Sequence, residues 1–103
     1  MIIVIGRIDL KGNCSIFQFL RLSKKIEHEF INNTNCQHVE LYSRDRSFYS
    51  ISVWDNLITM KKVAHSGIHL EAMKAAKEFS SAIAIHHYQS DEIPTMAEVM
   101  QKL

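Results

Sequence analysis

The chain has 103 residues, 47% apolar and 22% charged, with a formal net charge of +1 at pH 7. That length suits one domain with a modest core, spanning residues 1–103. A charge so near zero makes no field that gathers nucleic acid or anionic lipid, and the pairs Lys24–Lys25 and Lys61–Lys62 read as solvated helix faces.

The opening residues "MIIVIGRIDLKG" are apolar for only five positions before Gly6 and Arg7 interrupt them. That run is too short for an export signal or a membrane span, so a cytoplasmic protein with reduced thiols is expected. Cys14 and Cys36 flank a predicted helix of about 17 residues, roughly 25 Å long. A disulfide needs Cα atoms within about 7 Å, so both cysteines read as structural.

In chain order, "IIVIGRIDL" (2–10) is a β-branched strand whose first part is apolar on both faces. Ser15 followed by Gln18 has the form of a capping box for a helix from Ile16 to about Ile31. Ile16, Phe19, Leu20, Ile26 and Phe30 give that helix an apolar stripe, and Asn32–Asn33 end it. "HVELYS" (38–43) and "SFYSISVW" (47–54) alternate as strands around the polar tip Arg44–Arg46, which predicts a hairpin. Asp55 is placed to cap a helix running to about Ser66, and a second helical piece runs from about Ile68 to Phe79. "AIAIHHYQ" (82–89) is the last strand; Pro94, then Thr95 with Glu98, announce a short C-terminal helix.

This is the β-α-β-β-α-β order of the ferredoxin-like α+β fold, with an antiparallel sheet. In it both long helices cover one sheet face. Tyr49, Ile51 and Val53 would then leave an apolar surface bare, which predicts a homodimer packed sheet to sheet as a dimeric α/β barrel.

His65 and His69 stand four apart, the spacing at which one helix face can hold a metal. The apolar faces before and after Ser66–Gly67 are, however, offset by roughly 120° on one continuous helix. A kink at Ser66–Gly67 is therefore predicted, and it parts the two side chains. No cysteine or carboxylate stands at zinc-ligand spacing beside them, so no metal site is assigned. His86 and His87 point to opposite sheet faces.

The stretch "SISVWDNLITMKKVAHSGIHLEAM" (50–73) resembles dimeric α/β-barrel proteins. It is most similar to an uncharacterised bacterial family related to spheroidene monooxygenase, a carotenoid-oxidising enzyme that uses haem, and to the antibiotic-biosynthesis monooxygenases. Ser52, Val53, Trp54, Leu57, Met60, Ser66, His69 and Ala72 carry the likeness, and "IPTMAEVMQKL" at the end fits the same family. The resemblance implies a monooxygenase-like oxidoreductase with Trp54 and His69 as catalytic residues, and it admits haem as a cofactor. The haem-degrading branch of the superfamily also uses an asparagine on the first strand, which "IIVIGRIDL" lacks. Where relatives carry aromatic residues before Ser-Gly, this chain has Ala64–His65: either His65 takes a polar role or the site has drifted.

The residues independently suggest a pocket. Trp54 shares its strand face with the small Ser50 and Ser52, and His69 can project toward the same space, with Met73 beside it. Ser50, Ser52, Met73 and His65 are the expected ligand-binding set, and a small apolar or aromatic molecule is the expected ligand. The alternative is a non-catalytic homodimer in which Trp54 and His69 brace the bent helix. A void between them separates the two readings. An RNA-binding role is not supported, because "SFYSISVW" has neither the glycine nor the basic residues of an RNA-recognition strand.

Overall fold

The structure is a computed structural model and describes residues 1–12, 16–33, 35–65 and 67–103. Its elements are β1 (Ile2–Leu10), α1 (Ile16–Ile31), β2 (Cys36–Arg44), β3 (Ser47–Trp54), α2 (Leu57–Ala64), α3 (Gly67–Phe79), β4 (Ser80–Gln89) and α4 (Met96–Lys102). The strands form one sheet in the order β2-β3-β1-β4, antiparallel throughout, as the ferredoxin-like reading requires. Ser15, Cys14 and Ser66 lie outside the described residues, and with them the first capping box and any geometry for a Cys14 bridge.

The hairpin between β2 and β3 turns at Asp45 and Arg46. Asp45 takes a φ of 55°, a left-handed conformation that aspartate tolerates better than most residues. The helix cap falls one residue later than expected: Asn56, not Asp55, caps α2, its Oδ1 accepting from the Thr59 amide at 2.9 Å. Asp55 instead accepts a hydrogen bond from the Gln37 side chain.

The kink predicted in the second helix is a full break. α2 ends at Ala64, His65 caps it with a non-helical ψ of 6°, and α3 begins at Gly67. Two separate axes let each half turn its own stripe inward. Met60 and Val63 of α2 are buried, as are Ala72 and Ala76 of α3.

The sheet has two differently built faces. On the face opposite α1 and α3, Ile3, Ile51 and Val53 are wholly buried together with Val99 of α4. This corrects the expectation of a bare face: α4 lies across it, its Met96 and Met100 and the following Leu103 packed beside Val99. Thr95 starts that helix by accepting from the Glu98 amide, as the Thr95–Glu98 spacing predicts. Its far end is held by Arg7, whose Nη1 donates to the Leu103 carbonyl at 3.4 Å while Nε pairs with Asp9 at 2.9 Å. A hydrogen bond from Ser47, then the one from Arg7, holds the Asp9 carboxyl below its usual pKa. α4 thus takes the centre of the face on which the dimer expectation was built, while Tyr42, paired with Tyr49 on the same face, stays exposed. Among the described residues no helix is long and apolar enough to cross a membrane.

Because Val99 is sealed against three fully buried β-branched residues, Val99→Ala should cost about 1–3 kcal/mol of stability. Urea denaturation checks this, and a change near zero would mean that α4 does not pack on the sheet in solution.

Candidate functional site

On the face toward α1 and α3 the packing is incomplete. Strand register places Leu41, Ser50, Gly6 and Ile85 in one row across all four strands, and Val39, Ser52, Val4 and His87 in the next. The two central strands thus contribute glycine and two serines where large side chains would otherwise meet the helices. Above them α3 presents Ala72 and Ala76. Aromatic pairs stand at either end: Phe19 of α1 against Phe48, centroids 4.5 Å apart, and Phe30 of α1 against Trp54 at 5.1 Å, edge to face. Small residues between tall pillars leave a cavity of about 540 Å³, walled mostly by apolar atoms.

The structure brings five of the six sequence-predicted residues to this cavity: Trp54, His69, Ser50, Ser52 and Met73. His65 is not among its wall residues. It sits exposed at the end of α2.

Trp54 is 1% exposed and its Nε1 donates to Ser52 Oγ at 2.9 Å, buried. The indole N–H is therefore already used. Ser52 retains its own hydroxyl proton, free to turn toward the cavity. His69 stacks on Phe30, with centroids 5.5 Å apart and planes 22° from parallel. Its Nδ1 is buried with no hydrogen-bond partner among the described residues. Burial, chiefly, pushes the His69 pKa below its usual value; His65 nearby pushes the same way and Glu29 opposes. The imidazole is thus neutral at pH 7.

A buried N–H without a partner costs more than a buried lone pair, so the proton of that neutral ring belongs on Nε2. Nε2 is then the nitrogen that a ligand can meet, and it meets it as a donor. The sequence reading missed Gly6 and Phe30 as parts of the site. Phe30 was visible only as one member of a core stripe. Gly6 had a signal, a glycine inside a β-branched strand, which marks a close approach or an open space.

Comparison with solved structures gives the fold independently. The chain superposes on Rv0793 from Mycobacterium tuberculosis with a TM-score of 0.80 at 12% identity, covering 91% of this chain and 98% of that one. An antibiotic biosynthesis monooxygenase matches with a TM-score of 0.79 at 12% identity, over 89% and 100% of the two chains. The chain has the fold of the antibiotic biosynthesis monooxygenases. SnoaB of Streptomyces nogalater, a cofactor-independent oxygenase solved as a mutant, matches with a TM-score of 0.75 at 13% identity over 88% and 93%. No family model matches the sequence, and no curated protein matches it. Identities this low establish the monooxygenase-like fold and leave the chemistry to the site itself.

A histidine whose folded pKa lies below its unfolded value binds protons more weakly in the native state. Folding stability is then full above the unfolded pKa of about 6.5 and falls as pH drops below it. The wild-type chain should lose stability from pH 7 toward pH 5 more steeply than His69→Leu, measured by urea denaturation across that range. Parallel curves would show that His69 does not titrate from a buried neutral state.

Proposed function

We propose that the cavity binds a small, flat aromatic molecule carrying an oxygen substituent, and that His69 holds this oxygen by donating a hydrogen bond from Nε2. The observation that carries the reading is a mostly apolar cavity of about 540 Å³ with the buried His69 imidazole in its wall. Ligand sites occupy roughly 300–1,000 Å³ and combine apolar walls with a few polar groups, as this one does. The bracing alternative calls for a filled interior, and the cavity walled by both Trp54 and His69 speaks against it.

An imidazole N–H aimed at a phenolic or carbonyl oxygen stabilises the oxyanion that forms when the ring system loses a proton. Such an electron-rich anion is the species that reacts with molecular oxygen, so the same contact supports monooxygenase-like chemistry. SnoaB, with this fold, is described as cofactor-independent. The haem that the sequence resemblance admits suits the wall poorly. A metal-binding histidine almost always anchors its second nitrogen by a hydrogen bond, and Nδ1 of His69 has none among the described residues.

Trp54 is the chain's single tryptophan, so its fluorescence reports on the cavity directly. Titration with 1-naphthol should quench it saturably, in the micromolar range. His69→Leu should weaken 1-naphthol roughly 2- to 10-fold, the worth of one hydrogen bond, and leave naphthalene, which lacks the hydroxyl, unchanged. Absence of saturable quenching would sink the ligand reading. Equal losses for both compounds would reduce His69 to a wall residue, and oxygen uptake that requires His69 would extend binding to oxidation.

A further inference from the structure

We propose that Gly6 determines which ligands the cavity accepts, by leaving open the middle of its floor. Gly6 lies at the centre of β1, paired with Ser50 on one side and Ile85 on the other. A glycine in mid-strand weakens the strand and is usually explained by backbone conformation or by a close approach. No glycine here has positive φ, so conformation does not require it. Its missing side chain is what counts.

A Cβ at Gly6 would stand 2.9 Å from Ser50 Oγ and 3.7 Å from the Ile85 side chain. The first distance is closer than real Cβ atoms approach, so any side chain here would drive Ser50 aside and rise into the cavity. Without it, the Ser50 hydroxyl leans over β1. Among the described residues that hydroxyl has no hydrogen-bond partner, while the Ser52 oxygen is engaged by Trp54. The floor between the two aromatic pairs, two residues along β3 from Phe48, is therefore bare backbone beside one unclaimed hydroxyl.

Position along the strands turns this into selectivity. Ser50 lies four residues before Trp54, about 13 Å at 3.3 Å per residue, and Gly6 shares the row of Ser50. A compact ligand seated against Trp54 and His69 stays short of that row. A longer ring system must pass over Gly6 toward Phe48, and only a glycine there lets it lie flat on the sheet. Gly6 thus selects for extended over compact ligands. This inference rests on the cavity being a ligand site.

The test compares 1-naphthol, with two rings, and pyren-1-ol, with four, by quenching of Trp54. Gly6→Val should weaken pyren-1-ol by at least about tenfold and change 1-naphthol by less than about threefold. Ser50→Val narrows the same point from β3 with a residue that strands favour. It should also weaken pyren-1-ol by at least about tenfold and by more than it weakens 1-naphthol, and it keeps the test open if Gly6→Val fails to fold. The double variant Gly6→Ala/Ser50→Ala removes the atom that the new Cβ would meet and should retain pyren-1-ol binding within about threefold. Equal loss of both probes, or of neither, in the two valine variants would overturn the role of Gly6 while leaving the cavity reading intact. Failure of both probes to bind the wild-type chain would overturn the cavity reading and this inference with it.

Discussion

Two aromatic contacts set the height of the space above the sheet. Phe19 on Phe48 and Phe30 on Trp54 hold α1 off β3 at either end, and rings of that size cannot be compressed. Between them the facing residues are Ser50 and Ser52, with Gly6 alongside on β1. Protein interiors close voids wherever side chains can reach. Here glycine, serine and alanine are too short to do so. The cavity follows from residue sizes at fixed register positions, and the placement of Trp54 and His69 follows from the pillar that they share with Phe30.

That pillar also governs the chemistry. Phe30 lies edge to face with the indole and stacks on the imidazole, so both rings are oriented by one side chain. The indole N–H donates a hydrogen bond to Ser52 Oγ, and burial pushes the imidazole toward its uncharged form. Near Trp54 the polar groups left for a ligand are uncharged, a histidine N–H and two serine hydroxyls, while Lys24 and Glu27 of α1 also line the cavity. The Trp54 end of such a site discriminates through shape and one or two hydrogen bonds.

Element order was legible in the sequence because alternation in β3 and the three-and-four spacing in α1 are strong signals. The bounds of α1 and β3 match the expected ones, Ile16–Ile31 and Ser47–Trp54. The break at Ser66–Gly67 could be inferred because the apolar stripes on either side do not align on one helix. The position of α4 could not. A seven-residue helix carries too little pattern to say which surface it will cover, and Val99 meets Ile3 and Val53 only through tertiary packing. Trp54, His69, Ser50, Ser52 and Met73 came together as their spacing on β3 and α3 suggested. Phe30 escaped notice because its partners are distant in the chain, and Gly6 because a missing atom draws attention only once its neighbours are known.

The opposite characters of the two sheet faces bear on how the strands find one another. In β3 the residues under α4 are Tyr49, Ile51 and Val53, and those facing α1 and α3 include both serines. Sliding β3 by one residue against β1 would turn the serines beneath α4 and drive Ile51 and Val53 into the hollow. One arrangement would leave hydroxyls stranded in an oily layer, and the other would jam the helices. Emptiness on one side of this sheet therefore acts as a proofreader for strand alignment during folding.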